Sequence, residues 1–246
     1  MRFLPLAAAL VAVLFAATSL TKQAPAPKVL AKYATPLSQR QGNQKQNAIR
    51  ALKQLDGIEI PPGGEFSFNE TVGSWSRDKG YRRAPVSFGG TLVDAWGGGV
   101  CQTSTTLYNA ALLAGLEVVE RHRHHYAPAY VPAGRDAAVA FPNIDLRFRN
   151  PFDAPVTIRT MVTDTSLIIE FVGAARSDVD VEIVQRVVDM TAPSEFVIGS
   201  GRFGRVRNPG RAGYEVETYR IVGGVKELLS VDNYPVMHRI TEYRSE

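Results

Sequence analysis

The sequence predicts an α+β protein in which a central helix lies on an antiparallel sheet, followed by a small all-β module. Three observations lead there. A helical run follows three consecutive glycines, Gly97 to Gly99. Several short segments of alternating polarity are separated by turn residues. Beyond Asp178 the apolar residues keep a strand period and never a helical one. At 246 residues, 45% hydrophobic and 21% charged, the chain has the makings of one sizeable core plus a smaller second domain.

The N-terminus has the layout of a secretory signal: Met1-Arg2, an apolar stretch from Leu4 to Ala17, then small residues at Ala17 and Ser19. That stretch is shorter than the roughly 20 residues that cross a bilayer, so a signal peptide over 1–19 is expected. If uncleaved it becomes a membrane tether, and either way the bulk is extracytoplasmic: secreted, periplasmic or associated with the cell wall. Thr21 to Lys32 is rich in Pro, Ala and Lys and reads as part of a flexible linker over 20–37.

The main domain is expected over 38–173. Ala48, Ile49, Leu52 and Leu55 recur at helical spacing, and Asp56-Gly57 stops them. Ile58 to Ile60 and Phe66 to Phe68 read as short extended segments. Val86 to Val93 reads as a hairpin around Gly89-Gly90. A buried helix is predicted over 101–116, with Gly115 near its end. Leu116 to His125, Asp136 to Ala140 and Ile144 to Phe148 read as strands, and Val156 to Thr163 with Ser166 to Val172 as a closing hairpin. The remainder, 174–246, is expected to form the β module, from runs such as Val179 to Val188, Tyr214 to Val222 and Lys226 to Leu229. A basic loop, Arg202 to Arg207, is expected at one of its hairpin tips.

Cys101 is the sole cysteine of the chain. Exported proteins commonly pair their cysteines, and this one has no partner within its chain. It stands where the glycine turn becomes a helix, so the helix dipole and backbone N–H groups favour a thiolate there and offer a place for an oxyanion. A nucleophilic cysteine needs a base, and His122, His124 and His125 cluster downstream. In a strand His122 and His124 share a face, and spacing does not choose between them. Asp136 is the candidate for orienting the imidazole, although Gly134-Arg135-Asp136 also reads as a turn whose carboxylate caps backbone N–H groups. Gly98, Gly99, Gln102, Ser104, Thr105 and Tyr108 form the expected substrate-binding set. A zinc site of Cys101, His122 and His124 lacks any paired-cysteine spacing, so no metal and no cofactor is expected. The formal net charge of +4 is modest and no nucleic-acid motif appears, which leaves wall polymers such as peptidoglycan, or lipid head groups, as anionic partners.

Three runs in a fixed order carry a family resemblance: Pro62-Gly63-Gly64-Glu65-Phe66-Ser67-Phe68-Asn69; Gly97 to Gln102 with Ser104 to Ala110; and Glu120-Arg121-His122 through Tyr130 to Asp136. Together they resemble the VanW-like family, which takes its name from an accessory gene of vancomycin-resistance clusters. Arg123 and His125 stand where proline and serine are frequent in that family. The tail resembles G5-like β modules through Gly210 to Tyr214 and Ser230 to Pro235. The resemblance implies a cell-wall role with Cys101 as nucleophile of an L,D-transpeptidase-like acyl transfer on peptidoglycan stem peptides. The alternative is a non-catalytic peptidoglycan-binding or scaffold protein in which Cys101 is merely packed.

Overall fold

The structure is a computed structural model that describes residues 26–38, 40, 42–88, 91–174 and 180–244. The expected signal over 1–19 and the Gly89-Gly90 turn lie outside the described residues. The α+β architecture is as expected, with one early departure. From Lys28 the expected linker is a strand, β1 (Lys28–Pro36), paired antiparallel with β9 (Ser166–Gly173) so that Tyr33 lies opposite Ile169. Its lysines and proline argue against folding by composition, but Leu30 and Tyr33 pack against the core and a waiting strand edge supplies the ladder.

The main sheet has the order β1-β9-β8-β2, with β8 (Val156–Val162) forming the predicted hairpin with β9 and β2 (Glu59–Ile60) at the edge. Alternate residues of β9, Leu167, Ile169 and Phe171, are fully buried. They share a core with α1 (Gly42–Leu55) and α3 (Val100–Ala114), the two helices predicted from apolar spacing. Burial of a leucine or phenylalanine of this kind is worth about 1.5–3 kcal/mol, so this face of the sheet anchors the domain. A second sheet, β3 (Glu65–Ser67), β7 (Arg147–Arg149) and β6 (Glu117–Glu120), stacks Phe66 on Phe148 at 4.7 Å. Ser67 ends β3 by capping α2 (Phe68–Val72), its hydroxyl accepting from the Glu70 N–H, so Phe68 is helical instead of extended. β4 (Arg83–Phe88) and β5 (Thr91–Trp96) make the expected hairpin.

Two predicted strands are mostly irregular. The run from Leu116 leaves the sheet after Glu120, and His122 keeps only an isolated bridge to Ala138. Asp136 to Ala140 likewise makes single bridges at Ala138 and Ala140. These two stretches face each other beside the start of α3.

α3 is buried at thirteen of its fifteen residues, many of them polar. Burying them is tolerable because each finds a partner. Thr103 donates to the Ala48 carbonyl at 2.8 Å, Thr106 pairs with Thr35 at 2.7 Å, and the Asn109 amide donates to the Arg135 carbonyl at 2.7 Å. The helix closes through Gly115, whose N–H meets Leu112 while that of Leu116 meets Ala111, both at 3.0 Å. Its start is fixed by packing. Gly99 has φ of 110°, and a Cβ there would lie 2.2 Å from the Gln44 carbonyl oxygen. One at Gly98 would lie 2.7 Å from the Ala84 oxygen. Asn47 of α1 grips the same turn through the Gly98 carbonyl at 3.0 Å.

The module comprises two three-stranded sheets. β10 (Val181–Thr191), β13 (Gly213–Val222) and β14 (Val225–Tyr234) form one; β11 (Glu195–Ile198), β15 (Met237–Arg244) and β12 (Phe203–Arg211) form the other. Most of the expected basic loop is strand: Arg205 of β12 faces Glu242 of β15, a cross-strand charge pairing that favours the ladder. The module is docked on the first domain. Arg220 donates to the Leu116 carbonyl at 2.8 Å and Arg211 to that of Ala127 at 3.0 Å.

Gly99→Ala combines a disfavoured φ with a backbone clash, and a cost of about 2–3 kcal/mol is expected, read as a lower urea midpoint. A midpoint equal to wild type would show that the turn can open without disturbing α1.

Candidate active site

Cys101 is the second residue of α3, partly exposed at the base of a cleft of about 280 Å³. The glycine turn forms one wall with Trp75 and Trp96, and Tyr126 and Tyr130 another. A third comes from the β module through Arg207, Pro209 and Met237. The thiol donates to the Val139 carbonyl oxygen at 3.4 Å, and His124 lies close enough to act on its charge.

The two candidate histidines are placed differently. The segment after Glu120 is not a regular strand, so alternation does not hold and His122 and His124 point different ways. His122 turns outward, its Nε2 2.8 Å from Glu120 Oε1. His124 turns in: its Nδ1 donates to Asp136 Oδ2 at 2.7 Å, which leaves Nε2 for the sulfur. Its backbone N–H donates to the same oxygen at 2.7 Å. Asp136 therefore makes both contacts at once, one to the imidazole and one to a backbone N–H. With His122 turned away, the trio imagined for zinc is not assembled, and no metal-holding group of three or more His, Cys, Asp or Glu occurs among the described residues.

Asp136 is fully buried and every lone-pair direction is used. Its Oδ1 accepts from Arg121 at 3.1 Å and from the Tyr234 hydroxyl. Burial alone would raise its pKa, but the hydrogen bond and charge of His124, then the charge of Arg121, hold it down at about 2. Burial likewise disfavours the His124 imidazolium. Its bonds to Asp136 and Cys101 outweigh that and push it up to about 9. Burial raises the Cys101 thiol, yet the bond to His124 and the imidazolium charge bring it below the ordinary range. Both shifts run toward a thiolate beside an imidazolium, the form in which a cysteine attacks carbonyl carbon.

Of the expected substrate-binding set, Gly98 and Gly99 line the cleft, although the clashes above tie their lack of a side chain to packing and not to substrate approach. Gln102 reaches the cleft but its amide is spent inside, donating to Pro36 at 2.8 Å and accepting from Arg40 Nε at 2.9 Å. Ser104, Thr105 and Tyr108 do not reach it. They follow Cys101 on the helix face covered by residues 135–139, where Ser104 donates to the Ala137 carbonyl at 2.7 Å and Thr105 accepts from the Ala137 N–H at 3.1 Å. Two N–H groups expected for an oxyanion are already committed, Val100 to Gly97 and Gln102 to Gly99.

Sequence reasoning missed Arg40, which lies 4.8 Å over the Tyr130 ring and places a cation near the sulfur. It also missed Arg121, Asp232 and Tyr234. Nothing in their local pattern ties them to Cys101, although Arg121 stands inside one of the runs that carry the family resemblance and Asp232 and Tyr234 inside the tail run Ser230 to Pro235.

A family model described as VanW like protein matches residues 43–172, just over half of the chain. The chain belongs to the VanW-like protein family. The matched stretch of this VanW-like protein contains Cys101, His124 and Asp136. The chain is 39% identical over 140 residues to the uncharacterized protein YoaR of Bacillus subtilis (strain 168), covering 57% of this chain and 46% of that one. It is 32% identical over 133 residues to the vancomycin B-type resistance protein VanW of Enterococcus faecalis (strain ATCC 700802 / V583), covering 52% and 48%. The chain spans about half the length of these curated relatives. Among solved structures, the G5 domain of IgA1 protease matches at 18% identity and a TM-score of 0.19, covering 30% of this chain and 100% of that one. A score that low carries no argument, and the β character of residues 181–244 rests on their own strands.

Unfolded, Asp136 returns to an ordinary pKa of 3.8, above its folded value of about 2. Its contribution to stability is therefore complete above about pH 4 and is lost as the pH falls toward 2. Asp136→Asn leaves His124 without its anion and Arg121 with Asp232 alone, and a loss on the order of 3–5 kcal/mol at neutral pH is expected in urea denaturation. That gap should narrow across the acid window. A gap that is small or independent of pH would contradict the buried ion cluster.

Proposed function

We propose that this protein is an extracytoplasmic cell-wall protein and a cysteine acyl-transferase of the L,D-transpeptidase type, acting on peptidoglycan stem peptides. The observation that carries the reading is the line Cys101, His124, Asp136 opening on a cleft at the start of α3. Kinship with a vancomycin-resistance protein supports the wall as location and substrate. The expected signal over 1–19 is consistent with it, as are the cations Arg40, Arg207 and Arg211 around the cleft, which suit a carboxylated peptide or an anionic wall polymer.

The Cys101 thiolate attacks the carbonyl carbon of a stem-peptide amide, and the π electrons move onto oxygen. Collapse of this tetrahedral species breaks the C–N bond, and the departing amine takes the proton from His124 Nε2. What remains is a thioester on Cys101 and a neutral His124. An amine from a second stem then attacks the thioester, giving its proton to His124 as the C–S bond breaks, which restores the thiolate and imidazolium. Asp136 stays ionised throughout and keeps Nδ1–H pointed at itself, so that Nε2 faces the sulfur.

Iodoacetamide should label Cys101 well below neutral pH in the wild type and in His122→Ala. In His124→Ala the labelling should retreat to the alkaline range of an ordinary thiol. With peptidoglycan fragments, Cys101→Ala should form no acyl adduct by mass spectrometry, and His124→Ala should turn over about a hundredfold more slowly or worse. A wild-type thiol that labels only on unfolding would remove the enzyme reading. The basic strand β12 and the cleft would then favour a non-catalytic wall-binding or scaffold protein, which binding to purified sacculi would measure.

A further inference from the structure

We infer that Tyr234 and Asp232, both on β14 of the C-terminal β module, are positioning residues of the Cys101 site: with Arg121 they hold the Asp136 carboxylate in the orientation that aims His124 at the sulfur. This rests on the catalytic reading of Cys101, His124 and Asp136, and extends the working site into a part of the chain with no reacting group of its own.

The geometry is that of a built cluster. Tyr234 is 1% exposed, and its hydroxyl has one hydrogen to donate and two lone pairs. The hydrogen goes to Asp136 Oδ1. The lone pairs receive the Gly134 N–H at 3.0 Å and an Arg121 N–H at 3.4 Å. Asp232 is 5% exposed and takes Arg121 Nη1 at 2.5 Å, with Ser230 Oγ donating to its other oxygen at 2.9 Å. Arg121 is pinned in turn, its Nε on the Asp136 backbone carbonyl at 2.7 Å and its Nη2 on Oδ1 at 3.1 Å. The two carboxylates thus share one guanidinium, and only one of them touches His124.

Backbone packing shows that the module is fitted to this place. Thr218 of β13 donates to the Gly134 carbonyl at 3.2 Å. Gly134 has φ of 84°, and a Cβ on it would stand 2.4 Å from Thr218 Oγ1. The turn that delivers Asp136 is therefore shaped to admit β13 and β14 and no side chain of its own. The remaining ionisable groups near Asp136 are His124, Tyr108 and Cys101 of α3, and Tyr130 of the cleft wall. None of these donates to Oδ1, whose hydrogen bonds come from Arg121 and Tyr234.

A role in packing and a role in positioning differ in what they do to the thiol. Tyr234→Phe keeps the ring that lies 5.5 Å under Arg123 and removes only the donor to Oδ1. With Oδ1 held by Arg121 alone, the carboxylate can swing, the His124 bond to sulfur weakens, and the thiol regains its proton more readily. The full chain and its Tyr234→Phe and Asp232→Asn variants would be labelled with iodoacetamide from about pH 4 to about pH 9, beside thermal melts. The acid edge of Cys101 labelling should move up by about half a pH unit or more in Tyr234→Phe, and by less in Asp232→Asn, which disturbs Oδ1 only through Arg121. A lowered melting temperature with both edges unmoved would mean that the pair only packs, and would overturn the inference. Should Tyr234→Phe not fold, the Asp232→Asn edge decides alone. An ordinary alkaline edge in the wild type is a different failure: there the catalytic reading falls, and this one with it.

Discussion

A fully buried carboxylate is the constraint around which this molecule is arranged. An unpaired Asp136 in that position would cost several kcal/mol, so the surrounding chain has to bring donors to it from every side. They come from the segment after β6, as Arg121 and His124, and from β14, as Tyr234. A second buried anion, Asp232, balances the guanidinium. Low local polarity strengthens each of these bonds and penalises each gap, so the cluster is stable complete and costly in part.

The helix start is the other half of the site, and it is governed by a different force. Gly98 and Gly99 leave no room for side chains because α1 and β4 press on the turn. The dipole and first-turn geometry at Cys101 follow from that pressure. α3 carries polar residues where a buried helix would ordinarily be apolar, and they tie it to α1, β1 and the 135–139 segment. Cys101 and His124 are consequently mounted on pieces fixed to each other by hydrogen bonds, and the cleft they line needs no flexible loop to form.

Much of this was readable from the sequence where the signal is local. α1, α3, the β8–β9 hairpin and the β module follow from apolar period and turn chemistry, and Cys101 and Asp136 stood out by position. What was not readable is what depends on partners far along the chain. β1 reads as a linker until β9 offers it an edge. His122 and His124 cannot be told apart while the segment is imagined as a strand, because the bend after Glu120 that parts them answers to Asp136, 12 residues away. Ser104 and Thr105 resemble substrate contacts in a list of polar residues, and are internal ties. Tyr234 meets Asp136 across 98 residues, a separation at which periodicity says nothing.

The arrival of Tyr234 and Asp232 from β14 also sets an order of events. A chain made from its N-terminus holds Cys101, His124 and Asp136 long before residue 234 exists, and Asp136 waits with Arg121 alone on one oxygen. Until β14 docks, Asp136 lacks the Tyr234 hydroxyl and Arg121 lacks its second carboxylate. The cluster around Asp136 is thereby completed by a strand that lines no part of the cleft.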